Sequence, residues 1–236
     1  MATATVQISR IARLLPLMML ALTTSLARAD DTAKNTVRVG EYWIWYSVKA
    51  GDLTGPFVPP GIGLDVKNTH TPYFAYLRRL STHFTVELAA GLPPLTKTVG
   101  KGPATFGPLP FNGQEIATAR WFAPTLLMEY VFFDDSVPLR PYVGVGLNYV
   151  NFFDRHTTAY GNLISGGPTQ IELPASYGFA GTAGLSYRLP HNLSVMVSYS
   201  AAQVNTRLTA ITGNLVRTTH IEFNPTTVVF AVGYSF

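Results

Sequence analysis

The chain has 236 residues, and 17 lysine and arginine residues against 13 aspartate and glutamate residues give it a formal charge of +4. Charged residues make up only 13% of the chain and hydrophobic residues 47%, whereas soluble proteins carry about a quarter charged residues. The pair Arg78-Arg79 is the longest basic cluster of the exported part, so we expect no nucleic-acid partner. The absence of cysteine excludes a disulfide framework and thiolate chemistry.

The first 29 residues have the pattern of an export signal. Arg10 and Arg13 precede an apolar run over residues 14–22, and the small residues that follow end in the cleavage-type sequence Ala27-Arg28-Ala29. The run is too short for a membrane helix, and Pro16 interrupts it. We therefore expect residues 1–29 to be a signal peptide. Residues 30–236 then form one domain with a formal charge of only +1.

The exported part predicts eight strands with alternating character, joined by connections that are in turn long and short. The predicted strands are residues 37–48, 65–79, 84–92, about 116–133, 140–154, 175–188, 193–200 and 227–236. The long connections are rich in glycine and proline and are predicted as loops over residues 49–64, 93–113, 154–173 and 208–219. The short turns are residues 80–83, 134–139 and 189–192. An even number of strands with short turns at one end and long loops at the other is typical of an outer-membrane barrel.

The strand from Arg140 shows the alternation best. Large apolar residues face one way and small or polar residues the other; the two sets are Val143, Val145, Leu147 and Tyr149, and Tyr142, Gly144, Gly146 and Asn148. About 14 residues at roughly 3.3 Å each span about 46 Å, enough to cross an outer membrane at a tilt. In the first strand it is ambiguous which face points outward, because both faces carry aromatic residues. At Pro124 we expect a β-bulge, because proline lacks the N–H that the ladder needs.

The same alternation predicts two sets of lumen residues. Four charged side chains point inward, namely Arg38, Glu87, Glu129 and Arg188. Charges in so narrow a space must be paired or hydrated, so equal numbers of acids and bases predict a polar plug at the turn side; an ion or proton relay is the alternative. A second set lines a hydrophobic pocket or belongs to the ordinary aromatic belt at the membrane interface, namely Tyr42, Ile44, Trp121 and Leu127.

No motif in the chain predicts a cofactor. The five histidines are scattered without the spacing of a metal site; they are His70, His83, His156, His191 and His220. The run Gly144-Val145-Gly146 is half of a dinucleotide-binding fingerprint, and crowding in the lumen explains it better. A G-x-S-x-G motif is absent. A lipid-modifying enzyme would have to use His156 or His220 with Ser165, a weak combination.

The end of the chain and one hairpin resemble a known family. Phe236, preceded at alternate positions by Tyr234, Val232 and Phe230, resembles the C-terminal signature that the bacterial barrel assembly machinery reads. The runs P-T-L-L-M-E-Y and R-P-Y-V-G-V-G-L-N-Y-V-N-F-F-D resemble the outer-membrane protein W family, with weaker matches in V-E-L-A-A-G and V-R-V-G. The residues that carry this resemblance are Pro124, Thr125, Leu126, Arg140, Pro141, Tyr142, Gly144 and Gly146.

The resemblance implies an all-β fold, an eight-stranded antiparallel transmembrane barrel in the bacterial outer membrane, with a narrow hydrophobic lumen. It implies passage of small hydrophobic molecules across that membrane, without enzymatic activity. The partners it implies are outer-membrane lipids, the barrel assembly machinery and small hydrophobic solutes. An eight-stranded barrel is nearly filled by side chains, which excludes an open aqueous porin. The alternatives are a lipid-modifying barrel enzyme and a structural or adhesive barrel that acts through its loops.

Overall fold

The computed structural model of the protein describes residues 33–236. The predicted signal peptide, residues 1–29, lies outside the described residues. In chain order the strands are β1 (Asn35–Tyr46), β2 (Lys49–Ala50), β3 (Gly63–Val66), β4 (Thr69–Arg79), β5 (Phe84–Gly91), β6 (Leu95–Lys101), β7 (Thr105–Phe106), β8 (Leu109–Pro110), β9 (Glu115–Phe122), β10 (Thr125–Val131), β11 (Leu139–Thr157), β12 (Thr169–Glu172), β13 (Ser176–Arg188), β14 (Leu193–Ala202), β15 (Asn205–Thr212), β16 (Leu215–Glu222) and β17 (Pro225–Ser235). One helix, α1 (Ala159–Ser165), precedes β12.

Eight of these strands close into an antiparallel ring in the order β10-β5-β4-β1-β17-β14-β13-β11, and β11 pairs with β10 to complete it. The first strand, β1, pairs with the last strand, β17, and the backbone N–H of Asn35 donates to the carbonyl of Phe236 at 3.0 Å. Both chain ends of the ring and the three short turns share one end of the barrel, called here the turn end. The four long connections meet at the opposite end, the loop end. The predicted barrel is therefore confirmed.

The two faces of the ring carry different residues, which explains why these segments form strands. Outward side chains form a continuous apolar belt in which Val145 and Phe179 are 71% and 69% exposed. An apolar surface of this extent is stable only against lipid. Inward positions are small or crowded: a Cβ added to Gly184 would lie 2.6 Å from the hydroxyl of Tyr142. The facing predicted for β11 and its neighbours is correct, and β1 turns Trp43 and Trp45 outward.

The loop end is more ordered than predicted, and the prediction of four plain loops is wrong. The segment 93–113 contains β6, β7 and β8, and the segment 154–173 contains the end of β11, α1 and β12. The segment 208–219 is mostly a hairpin of β15 and β16, and the segment 49–64 contains β2 and the start of β3. These strands form the sheet β12-β15-β16-β2, an extension of β11 through β9, β6 and β3, and a separate two-stranded sheet of β7 and β8. The added strands bury a large apolar cluster that the barrel alone would leave open.

The strands predicted over residues 65–79 and 116–133 are each split in two. Lys67 and Asn68 separate β3 from β4, because β3 leaves the barrel to pair with β6. Ala123 and Pro124 separate β9 from β10. The predicted bulge at Pro124 is wrong: β11 keeps one register against β9 and β10 across it, and the Pro124 carbonyl accepts the N–H of Tyr149 at 3.1 Å. The register shifts instead between Phe153 and His156. Within residues 33–236, no helix combines the length and the apolar character needed to cross a membrane.

Candidate functional site

The lumen is divided into layers along the barrel axis. At the turn end lies a polar vestibule of about 190 Å³. Above it, charged and tyrosine side chains close the axis; this set, Arg38, Tyr42, Tyr73, Glu87, Glu129 and Tyr142, is called the charge layer. Above the charge layer lies an apolar cavity of about 110 Å³, called the lumen cavity, which the loop-end cluster covers.

A buried ion pair is the centre of the charge layer. Arg38 on β1 donates to Glu87 on β5 at 2.8 Å, and the two side chains are only 8% and 6% exposed. The hydroxyl of Tyr73 donates to the other carboxylate oxygen of Glu87 at 2.8 Å. The guanidinium of Arg38 also lies 5.6 Å from the ring centre of Tyr142, within cation–π range. The pair is therefore compensated on several sides, as a buried charge requires.

Glu129 on β10 completes the layer without joining the ion pair directly. Its side chain is almost fully buried, and its Oε1 atom has no hydrogen-bond partner among residues 33–236. It lies opposite Gly144, where an added Cβ would approach the Glu129 side chain to 3.2 Å and Thr182 to 2.9 Å. Side chains packed this closely leave no open column of water through the charge layer. Glycine is required at position 144 because the lumen is crowded there, and not for binding a nucleotide.

Arg188, the fourth residue of the predicted plug, lies elsewhere. It is at the turn end, its side chain is 44% exposed, and it binds Asp135 through both the backbone carbonyl at 2.7 Å and the carboxylate at 3.0 Å. Arg79 and Arg140 bind the same carboxylate at 3.0 and 2.7 Å. Burial alone would raise the pKa of Asp135, but the hydrogen bond from Arg188 and the charges of Arg79 and Arg140 outweigh it and lower that pKa below its ordinary value. Arg188 lines the polar vestibule together with Arg38 and Glu129, but it has no contact with the buried ion pair and helps to lock the turns.

The lumen cavity has the four side chains of the predicted pocket on its wall: Tyr42, Ile44, Trp121 and Leu127. They come from three strands, since Tyr42 and Ile44 are both on β1, and Ile44 is 2% exposed. Small side chains are frequent in the remaining wall, which contains six alanines, including Ala89, Ala119 and Ala180, and five threonines. Small residues at inward positions are what keeps this part of an eight-stranded barrel open. The cavity can hold a small apolar molecule, with a few hydroxyl groups at its edge.

The barrel wall beside the lumen cavity is interrupted. The ladder between β4 and β5 ends with the Leu92 N–H donating to the Pro72 carbonyl at 3.0 Å, and the ladder between β3 and β6 begins with the Lys67 N–H donating to the Lys97 carbonyl at 3.0 Å. Between these ladders lie Pro93-Pro94, which have no backbone N–H to donate. On their other side, the pairing of β5 with β10 stops at Thr125 and resumes between β6 and β9. Gly91 and Thr98 both line the cavity, so the interruption adjoins it.

Most family-motif residues hold the structure together, and among them only Thr125 also lines the lumen cavity. Arg140 donates to the carbonyls of Thr82 and Phe133 at 2.6 and 2.9 Å, joining two turns, and Thr125 donates to Asn148 at 3.1 Å. A Cβ on Gly146 would collide with the carbonyl oxygen of Leu126. The remaining motif positions, Pro124, Pro141 and Tyr142, lie on the same hairpin.

The residues named for a lipid-modifying enzyme are not brought together. His156 is paired with Asp154 at 2.8 Å, and His220 lies opposite Arg207 in the β15–β16 hairpin. Ser165 is the last residue of α1, and its carbonyl accepts Arg217. Within the described part of the chain, no cluster of three histidine, cysteine, aspartate or glutamate side chains is placed to hold a metal ion.

Three important residues were absent from the sequence prediction. Tyr73 is 1% exposed and points into the lumen. Its inward facing is hard to recognise in the sequence, because Phe74 and Tyr76 on the outward face of the same strand are aromatic as well. Asp135 was treated only as part of a turn. Arg217 lies in a segment that is predicted as a loop. The sequence nevertheless has the pattern of a hairpin with glycine at the first turn position, because Gly213-Asn214 separates the runs T-R-L-T-A-I-T and L-V-R-T-T-H-I.

Comparisons with known proteins agree with this architecture. A model of the OmpW family matches residues 49–236. Outer membrane protein W of Salmonella typhimurium is 29% identical over 220 residues, covering 92% of this chain and 96% of that protein. The outer membrane protein OprG of Pseudomonas aeruginosa has a similar structure, with a TM-score of 0.77 at 20% identity, covering 86% of this chain and 96% of that chain. AlkL, determined in lipid bilayers, gives a TM-score of 0.66 at 20% identity, covering 90% and 95%.

At such identities the two structural matches show the fold alone. The family match is stronger, because it spans most of the chain and includes the motif hairpin that first suggested it. The related protein named above is itself an outer membrane protein. The chain therefore belongs to the OmpW family and is an integral barrel of the outer membrane.

Proposed function

We propose that this barrel is a passive conduit for small apolar solutes. The observation that carries the proposal is the lumen cavity: an apolar space of about 110 Å³ between the loop-end cluster and the charge layer. Long loops face the outside of the cell in barrels of this type, so a solute reaches the cavity from the outer side. The resemblance to the family implies the same class of cargo. No enzymatic step is needed.

The charge layer argues against straight passage along the axis. An apolar solute would have to separate Arg38 from Glu87, and exposing either charge alone costs several kcal/mol. The interrupted wall at Pro93-Pro94 offers a less costly route, since the prolines themselves donate no hydrogen bond and the ladder on either side ends at Leu92 and Lys97. The solute then leaves sideways into the hydrocarbon layer, where burying apolar surface is favourable by about 25 cal/mol per Å². The charge layer keeps water and ions from following.

A matched pair of substitutions on one strand tests this function. Ala180 on β13 faces the lumen cavity, and Ala183 on the same strand faces lipid. Ala180→Phe would fill the cavity with an aromatic ring, whereas Ala183→Phe adds the same ring to the outer belt. In liposomes that contain the purified barrel, we expect Ala180→Phe to abolish the protein-dependent uptake of a neutral apolar solute such as octanol and Ala183→Phe to leave it unchanged. Equal uptake by the two variants would contradict the proposal.

We also propose that Phe236 is the assembly signal of this barrel. Its N–H donates to the Asn35 carbonyl at 2.8 Å, so it lies where the first and last strands meet. Phe236→Ala should slow insertion by reconstituted barrel assembly machinery, while Phe230→Ala, on the lipid face of the same strand, should not. Equal insertion rates for wild type and Phe236→Ala would contradict this role.

A further inference from the structure

A second apolar cavity lies within the loop-end cluster. It has a volume of about 90 Å³ and is called here the cap cavity. Its wall consists mainly of aliphatic and aromatic side chains from the loop-end strands, the segments that connect them and α1, including Leu53, Ile62, Phe111 and Ile164. One residue in this wall carries a charge: Arg217 on β16. A single cation in an otherwise apolar wall is the arrangement that needs explaining.

Arg217 is 8% exposed, so its guanidinium is withdrawn from water. Its Nε donates to the Pro56 carbonyl at 3.1 Å, and its Nη atoms donate to the Ser165 carbonyl at 3.4 Å and to the Thr212 hydroxyl at 3.3 Å. Among residues 33–236, no carboxylate lies within 4.0 Å of it, whereas the other buried arginines, Arg38 and Arg140, each have one.

These partners are dipoles, and most of the contacts are long for hydrogen bonds of a charged donor, which are typically about 2.7–2.9 Å. The Ser165 carbonyl lies at the C-terminus of α1, where a cation is favourable. Arg217 therefore has a role in joining α1 to the β15–β16 hairpin. That role leaves its positive charge without a counter-ion in an apolar place, which is unfavourable unless an anion can join it.

We propose that the cap cavity binds a single-chain carboxylate amphiphile, with the carboxylate on Arg217 and the chain among the apolar side chains. The inference rests on the proposed conduit function and names a class of its solutes. Four of the five N–H donors of Arg217 are used by protein groups, which leaves one Nη2 N–H to donate to a carboxylate. A cavity of about 90 Å³ is smaller than the roughly 150 Å³ that takes up benzene in an engineered protein core, so it accepts part of one alkyl chain rather than a two-chain lipid.

The surroundings of the cap cavity fit a site of first capture. Phe57 lies at its rim, is 82% exposed and has a φ of 58°, a conformation that is rare for a bulky residue. The cavity is thus bordered by an aromatic side chain held out toward the solvent. On its inner side, Thr98 lines both the cap cavity and the lumen cavity. A solute bound at Arg217 therefore lies directly above the cavity from which it would leave the barrel.

The test compares octanoate with octanol, which share a chain length and differ in charge. Both are titrated by calorimetry into the full-length barrel in lipid nanodiscs, and binding to empty nanodiscs is subtracted. Wild type should bind octanoate roughly tenfold more tightly than octanol, the size expected for hydrogen bonds to a charged group. Arg217→Gln should remove that preference and leave octanol binding unchanged. Arg207→Gln, which removes the same charge from an exposed position of the same hairpin, should keep it.

Two outcomes would overturn the inference. One is equal binding of octanoate and octanol by wild type, a result that needs no variant and so does not depend on whether Arg217→Gln folds. The other is a loss of both ligands alike in Arg217→Gln, which would make Arg217 purely structural. Neither outcome affects octanol uptake by liposomes that contain the wild-type barrel. The conduit function is therefore tested separately from this inference.

Discussion

Removing one charge from the buried pair in the charge layer should weaken the whole barrel. The side chains of Arg38 and Glu87 are 8% and 6% exposed and 2.8 Å apart, so solvent screens them little. Breaking a buried ion pair by losing one partner typically costs about 3–5 kcal/mol. For Glu87→Gln we expect the low end, about 3 kcal/mol, because glutamine still accepts from Tyr73 and because Glu129 remains in the same layer.

Urea unfolding in lipid vesicles, followed by tryptophan fluorescence, measures this loss. A change of about 3 kcal/mol lowers the folding equilibrium constant by roughly two orders of magnitude. The double variant Arg38→Met/Glu87→Gln should recover most of the stability, since it removes the uncompensated charge as well. Arg78→Gln, at an exposed position of β4, is the control and should change stability by less than about 0.5 kcal/mol. Wild-type stability for Glu87→Gln, or a double variant no more stable than the single one, would refute this reasoning.

Three other substitutions have defined outcomes in the same unfolding assay. Asp135→Asn should be less stable than wild type at neutral pH. Because the pKa of Asp135 is lowered in the folded state, the difference in unfolding free energy between the two proteins should shrink as the pH falls below about 4. A constant difference down to about pH 2 would contradict this expectation. Gly184→Val should cost roughly 1–3 kcal/mol, because its Cβ would meet the Tyr142 ring; an unchanged urea midpoint would show that the lumen has spare room. Val145→Arg should cost about 2–4 kcal/mol on the lipid face, where Val145→Leu should be neutral; equal stability of the two would argue against lipid contact at this position.

The barrel strands could be predicted where the alternation is long and unbroken. Lipid outside and a narrow lumen inside impose opposite demands on size and polarity, so β11 alternates large apolar residues such as Val143, Val145 and Leu147 with small or polar ones. Those demands also allow the inward facing of Leu127 and Glu129 to be predicted from the sequence alone. Aromatic residues on both faces of β1 made it ambiguous, and the structure resolves this by turning Trp43 outward.

Height along the axis and pairing partners could not be predicted in the same way. Alternation gives the side of the sheet but not the distance from the turns, so the sequence groups Arg188 with Arg38, Glu87 and Glu129 although Arg188 binds Asp135 nearer the turn end. Prolines and glycines were interpreted as loop signals at the loop end. There they instead mark places where strands change partners, as at Pro93-Pro94, because a ladder can end where a donor is missing.

The central claim is that the lumen cavity receives small apolar molecules. Crystals of the barrel grown with 1-bromooctane test it most directly, since anomalous scattering locates the bromine. We predict a bromine position within the cavity bordered by Ile44, Trp121 and Leu127 in wild type, and its absence in Ala180→Phe. Bromine found only along the outer belt, with the cavity of wild type free of it, would contradict the account.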